Sequence, residues 1–206
     1  MRIVVLGAGG HGKVVADCLL AAGHAVAGFL DDGRAPGQVV LAGLEVLGPT
    51  EWLRSEPCQV ALGIGDNASR ARLAQRCLEL GSRLFTAVHP RAVIAPSAAL
   101  GEGVVVMACA VINPSATVAT GAIVNTGAVV EHDCVIGAFA HVSPNATLGG
   151  ECRLGDGAHL GIGATMLPRT SVGARTVVGG GALVNRDIRD DVIAIGVPAR
   201  ERRARS

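Results

Sequence analysis

The sequence predicts a small parallel α/β domain over residues 1–85, followed over residues 86–206 by a parallel β-solenoid of triangular cross-section with a C-terminal tail. Three observations carry this. The N-terminal part alternates strand-like and helix-like segments around a Gly-rich turn, and residues 94–189 repeat every six residues. With 29 glycines, 2% aromatic content, no tyrosine and 50% hydrophobic residues, the interior must be built from small and aliphatic side chains.

In chain order, "RIVVL" reads as a strand, Lys13 to Ala22 as a helix, "AVAGFL" and "QVALGIG" as strands, and Ser69 to Leu80 as a second helix. Strands separated by helices imply a parallel, Rossmann-like sheet. Between the first strand and its helix lies Gly7-Ala8-Gly9-Gly10-His11-Gly12, a turn that can bring backbone N–H groups against a phosphate at a helix N-terminus. Asp31 and Asp32 close the second strand, where an acid meets a ribose in dinucleotide sites. A nucleotide-sugar is the better reading than NAD, because the sheet is short and the chain runs straight into the solenoid with no hydride-transfer domain. A tight turn that binds nothing is the third reading.

From Ile94 to Arg189 the chain divides into sixteen hexads without an insertion. Each begins with an aliphatic residue or Met, and the fifth residue is usually Ala or Cys. A short strand with one aliphatic and one small inward residue, followed by a turn, closes a triangular coil after three hexads. One coil is thus 18 residues, and residues 18 apart lie above one another at about the 4.8 Å spacing of paired strands.

A net charge of +1 and the lack of a basic stripe interleaved with aromatics make nucleic acid a poor partner. The N-terminal "RIVVLGAGGHGK" is too short in its apolar run for a signal peptide or a membrane span, so the expectation is a cytoplasmic protein without membrane contact. The six cysteines show no C-x-x-C pair, which argues against a zinc ribbon or a redox dithiol. Arg200, Arg202, Arg203 and Arg205 read as a frayed, solvated tail rather than a phosphate clamp.

The 18-residue coil turns the sequence into a surface map. His132, at the third hexad position, faces outward and is followed by Asp133, a carboxylate that can hold one ring nitrogen and raise the basicity of the other. Above it lies Gly150, a notch whose N–H could meet an oxyanion. His141 lies below His159, beside the column Pro144, Ile162, Gly180. His132 and His141 are half a coil apart, so one subunit cannot bring them together. Cys134 invites a Cys–His nucleophile reading, but as a fifth hexad residue it points inward below Cys152 as a core filler, so direct attack without an acyl-enzyme is expected.

The hexads resemble the left-handed parallel β-helix, the hexapeptide-repeat solenoid of acyltransferases that are typically trimers. The whole chain, through "GAGGHG", "FLDD", "GIGDN", "HPRAVI", "NTGAVVEHDCVIG" and "GVPAR", resembles the nucleotide-sugar N-acetyltransferases of the bacillosamine and perosamine type and the related sialic acid O-acetyltransferases. The resemblance implies acetyl-CoA as co-substrate, no metal, and transfer to an amine, at C4, of a nucleotide-linked amino sugar in glycan biosynthesis. It places Gly9, Gly10, His11, Asp31, Asp32 and Gly65 at the nucleotide-sugar, and His141, Gly150, Ile162 and Gly180 at acetyl-CoA. His132 falls at the catalytic base, followed by its acid Asp133, with Asn125 and Glu131 nearby. It also implies a homotrimer with active sites between subunits.

O-acetylation of sialic acid or its nucleotide conjugate uses the same base and is the near alternative; a nucleotide-sugar binder without catalysis is another. Solenoid trimers of this kind also include zinc-dependent carbonic anhydrases. Two of their three ligands are five residues apart, and no histidine pair here has that spacing.

Overall fold

The computed structural model describes residues 2–202. It divides into two compact units, Met1–Pro90 and Arg91–Ser206.

In the first unit, strands β1 (Ile3–Leu6), β2 (Val26–Leu30), β3 (Val39–Leu41), β4 (Leu44–Gly48), β5 (Gln59–Leu62) and β6 (Arg83–Leu84) form one sheet in the order β3-β4-β2-β1-β5-β6. Central β1 is paired in parallel on both sides, with β2 and β5, and all four of its residues are buried. Helix α1 (Gly10–Ala21) packs Val15 and Leu19 into this core, and α2 (Asn67–Glu79) follows β5. The structure adds a hairpin that periodicity did not reveal: β3 pairs antiparallel with β4 through Ala42 and Gly43, with φ of 49° and 78°. Two consecutive positive φ values are what a two-residue turn needs to match the strand twist.

Helix α1 begins three residues before the predicted Lys13. Glycine is a poor helix former, but Gly12 is required inside this helix: a Cβ there would lie 1.9 Å from the Gly7 carbonyl oxygen. Close packing therefore extends the helix into the glycines.

In the second unit two-residue strands stack into three parallel ladders, one per face of a triangular prism. His141 and Val142 pair with His159 and Leu160 on one face, Val129 and Val130 with Thr147 and Leu148 on the next, and Val135 and Ile136 with Arg153 and Leu154 on the third. Each partner is 18 residues on. First and fifth hexad residues point inward; Val130, Ile136, Leu148, Ala128, Ala140 and Ala146 are all fully buried. The fourth residue of the hexad is left-handed from Gly103 to Gly181 whether or not it is glycine: Ser115 has φ 62°, Asp133 58°, Asn145 57° and Glu151 62°.

The regular spacing holds to Leu183 and Val184, which pair with Thr165 and Met166, and ends within the last predicted hexad. Val172 bridges Ile188, and Val177 pairs with Ile193, both 16 residues on instead of 18. The tail is not frayed at Arg200–Arg202, which pairs antiparallel with Ile193–Ile195. Arg203 and Arg205 lie outside the described residues. Among the described residues no helix is long and apolar enough to cross a membrane.

Candidate active site

The glycines of the first unit divide by function. Gly7, Gly12 and Gly63 are packed so closely that a Cβ at any of them would meet backbone atoms within 3 Å, whereas Gly9 and Gly10 have nothing within 4 Å. The first three close the turn and the last two leave it open. Helix α1 starts at this opening with Gly9 as an extended N-cap, no side-chain cap and no acid in its first turn. A helix N-terminus left open in this way suits an anion.

Asp31 and Asp32 stand at the end of β2, but each already binds backbone. Asp31 Oδ2 accepts the Ala8 N–H at 2.8 Å and Oδ1 accepts the Gly33 N–H at 2.9 Å; Asp32 Oδ1 accepts the Thr50 N–H at 2.7 Å. Asp31 is thus the tie that holds the Gly-rich turn against the sheet. Asp32 also lines a cavity of about 490 Å³ with Thr50, Arg72, Leu73, Gln75 and Arg76. His11 approaches Gly65, whose Cβ position would lie 4.0 Å from the His11 Cβ. Burial, and then the Arg70 cation, pull His11 down to about 4, so its imidazole is neutral at neutral pH.

Arg70 is a residue the sequence reading missed. It is completely buried and donates to the carbonyls of Ile64 and Gly65, both at 3.0 Å, and to Asn67 Oδ1 at 2.8 Å. It holds the turn after β5 from behind. An arginine on a polar helix face reads as solvated, and only packing reveals otherwise.

On the prism, His132 occupies the turn between Val129–Val130 and Val135–Ile136, with its side chain 54% exposed and so open to a substrate. Asp133 follows in the left-handed conformation, which folds its carboxylate back: Oδ2 lies 2.8 Å from His132 Nδ1. That hydrogen bond first, and then the charges of Asp133, Glu131 and Glu151, raise the His132 pKa above its ordinary value. With Nδ1 committed to Asp133, Nε2 is the free basic atom. It lies against Gly150, where a Cβ would come within 2.5 Å of His132 Cε1 and Nε2. The Glu131 carboxylate accepts the His132 backbone N–H, at 3.4 Å.

The third-position amides of the hexads have no backbone partner in the repeat, and several are capped by side chains. Ala138 N–H goes to Asp156 Oδ1 at 2.8 Å and Ala174 N–H to Asp190 Oδ1 at 3.0 Å. The Gly150 N–H has no such acceptor among the described residues. An imidazole held by Asp133 and an amide with no acceptor among the described residues thus stand side by side.

Half a coil away, His141 is 8% exposed, and its Nε2 lies 3.0 Å from Asn125 Nδ2. Asn125 Oδ1 accepts the Thr126 N–H at 2.8 Å, which orients the amide so that its NH₂ group faces the ring. His159 sits one coil above with ring centroids 4.7 Å apart, and its Nε2 lies 2.8 Å from Ser143 Oγ. Ile162 is 64% exposed beside them, and Gly180 stacks on it, its Cβ position 3.2 Å from the Ile162 carbonyl oxygen. Asn125, His141, Ile162 and Gly180 therefore cluster on one edge, and His132, Asp133 and Gly150 on another. No cluster of three or more His, Cys, Asp or Glu side chains suited to a metal ion occurs among the described residues.

Residues 2–77 match the family model described as the PglD N-terminal domain. The chain is 38% identical over 121 residues to the UDP-N-acetylbacillosamine N-acetyltransferase of Bacillus subtilis (strain 168), a match over 52% of this chain and 51% of that protein. It thus spans about half the length of that curated relative. The crystal structure of a histidine-to-asparagine variant of perosamine N-acetyltransferase from Caulobacter crescentus, in complex with CoA and GDP-perosamine, is similar with a TM-score of 0.94 and 42% identity over 98% of this chain and 97% of that one. The acetyltransferase domain of PglB from Neisseria gonorrhoeae FA1090, in complex with acetyl coenzyme A, has a TM-score of 0.92 and 39% identity over 98% of both chains. Agreement over nearly the whole length identifies the prism as a left-handed parallel β-helix that follows an N-terminal α/β domain in the chain. The chain belongs to the nucleotide-sugar N-acetyltransferases of the bacillosamine and perosamine type.

Proposed function

We propose that the protein transfers acetyl from acetyl-CoA to the C4 amine of a nucleotide-linked amino sugar, with His132 as general base. The nucleotide-sugar rests on the open face of Gly9 and Gly10, near His11, Asp31, Asp32 and Gly65, where the α1 amides meet its diphosphate. Acetyl-CoA lies along Ile162 and Gly180, beside His141 and Asn125, with its thioester at Gly150. Relatives with CoA and GDP-perosamine or with acetyl coenzyme A bound support both ligand classes.

His132 Nε2 takes the proton from the amine as the nitrogen attacks the thioester carbonyl, and Asp133 holds the imidazolium that forms. The carbonyl oxygen becomes an oxyanion and meets the Gly150 N–H. On collapse the C–S bond breaks, the CoA thiolate leaves, and the proton returns from His132 to sulfur. Cys134 and Cys152, both fully buried, take no covalent part. Because His132 and Gly150 share one edge and His141 another, the site is completed by a neighbouring subunit of a homotrimer.

The observation that carries this reading is the pairing of an imidazole oriented by Asp133 with Gly150, on which the ring edge lies and whose N–H has no acceptor among the described residues. Its test is incubation with acetyl-CoA and a panel of UDP- and GDP-linked 4-amino sugars, followed as free thiol release. Release is expected with at least one of them. No release with any would refute the assignment, and faster release with sialic acid than with every amino sugar would replace it by O-acetylation.

A further inference from the structure

The hexad column beneath His132 differs from its neighbours inside the prism. The column through Ala110, Ala128, Ala146 and Ala164 carries alanine at the fifth position, whereas this one runs Ala116, Cys134, Cys152, Thr170. The thiols have directed partners. Cys134 Sγ donates to the Gly149 carbonyl oxygen at 3.1 Å, and Cys152 Sγ to the Leu167 carbonyl oxygen at 3.1 Å.

The Gly149 carbonyl and the Gly150 N–H are the two ends of one planar peptide unit. In the regular turn the second-position carbonyl accepts the amide three residues on, as Asn125 accepts Ala128 N–H and Ser143 accepts Ala146 N–H. At Gly149 that backbone bond is absent among the described residues, and the thiol from the coil below takes its place. A Gly-Gly peptide has wide conformational freedom, so its orientation depends on what holds it. The neighbouring peptides are fixed by the coil's backbone bonds, the Gly149 N–H donating to the Met166 carbonyl oxygen at 3.0 Å and the Gly150 carbonyl oxygen accepting the Arg169 N–H at 3.0 Å. On the peptide between them, the carbonyl is held by the Cys134 thiol.

We propose that Cys134 is a positioning residue, whose thiol pins the Gly149–Gly150 peptide and thereby aims the Gly150 N–H at the carbonyl under attack. This rests on the reading of that N–H as the oxyanion donor. A donor on the carbonyl end of a peptide also polarises its N–H, as in any hydrogen-bonded chain. Cys152 cannot play this part, since its acceptor belongs to the Leu167–Pro168 peptide, which has no N–H. It is a control of equal volume in the same column.

The test compares Cys134→Ala, Cys134→Ser and Cys152→Ala. Cys134→Ala should lower kcat by about 3- to 10-fold, less than the roughly 10²-fold of a deleted oxyanion donor because the N–H is misaimed and not lost, with both KM values within about 2-fold. Cys134→Ser restores a donor and should recover most of kcat. Cys152→Ala should lower the melting temperature about as much as Cys134→Ala and leave kcat nearly unchanged. Equal kcat losses in the two alanine variants, or serine no better than alanine, would overturn the proposal. A readout independent of turnover is the Gly150 amide resonance in protein labelled with ¹⁵N-glycine. It should move in Cys134→Ala and stay in Cys152→Ala; an unmoved resonance overturns the inference, whatever the fate of the assigned reaction.

Discussion

The His132 imidazole lies over Gly150 with its Cε1 and Nε2 where a Cβ at that position would be, within 2.5 Å. Gly150 is not left-handed, so alanine suits its backbone, and the three atoms nearest to an added Cβ all belong to the His132 ring. Gly150→Ala should therefore swing His132 off its bond to Asp133 while leaving the coil intact. The expected outcome is a loss of about 10-fold or more in kcat with a melting temperature within a few degrees of wild type, as a small displacement of a reacting group allows.

Replacing the proposed base itself should cost more. His132→Ala is expected to lower turnover by roughly 10²-fold or more, the range of a lost general base, with acetyl-CoA binding nearly unchanged by calorimetry. Equal loss of binding and turnover would assign His132 a structural role.

The pH profile follows from the Asp133 contact. The base must be neutral to act, and Asp133 raises the His132 pKa, so kcat/KM should rise with pH through a midpoint above the ordinary histidine value of about 6.5. Asp133→Asn removes the main cause of the shift. Its midpoint should move to lower pH while its plateau falls. The acceptor amine titrates identically in both proteins, so the difference between the two profiles belongs to His132.

An intersubunit site predicts complementation. In the proposed homotrimer, His132→Ala and His141→Ala chains unfolded together and reassembled would give trimers of which about three-quarters contain both variants, each with one interface in three carrying both histidines. About a quarter of wild-type sites should return. Recovery no greater than the sum of the separately refolded variants, with chain mixing verified by mass, would show that the two histidines do not share a site.

The Gly-rich turn separates packing from binding. Gly12→Ala, whose Cβ would lie 1.9 Å from the Gly7 oxygen, should destabilise the α/β unit by about 3 kcal/mol or prevent its folding. Gly9→Ala has open space around it and should melt close to wild type while raising the KM for the nucleotide-sugar. Melting curves and substrate titrations distinguish the two.

The sequence by itself determined the solenoid and its surface map, because a repeat of fixed period has translational symmetry. Gly150 above His132, His159 above His141 and Gly180 above Ile162 are tertiary neighbours that can be counted out in steps of 18, and the structure has each pair in contact. Counting fails where the symmetry ends, as at Val177 and Ile193. It fails throughout the α/β unit, where neighbours depend on how helices pack on a sheet. There only the tertiary structure decided that α1 starts at Gly10, that Asp31 and Asp32 bind backbone amides, and that Arg70 is buried. It also decided the atomic detail at the prism corner. A left-handed φ at Asp133 turns the carboxylate onto His132, and the Cys134 thiol reaches the Gly149 carbonyl, both set by dihedral angles that the hexad pattern does not encode.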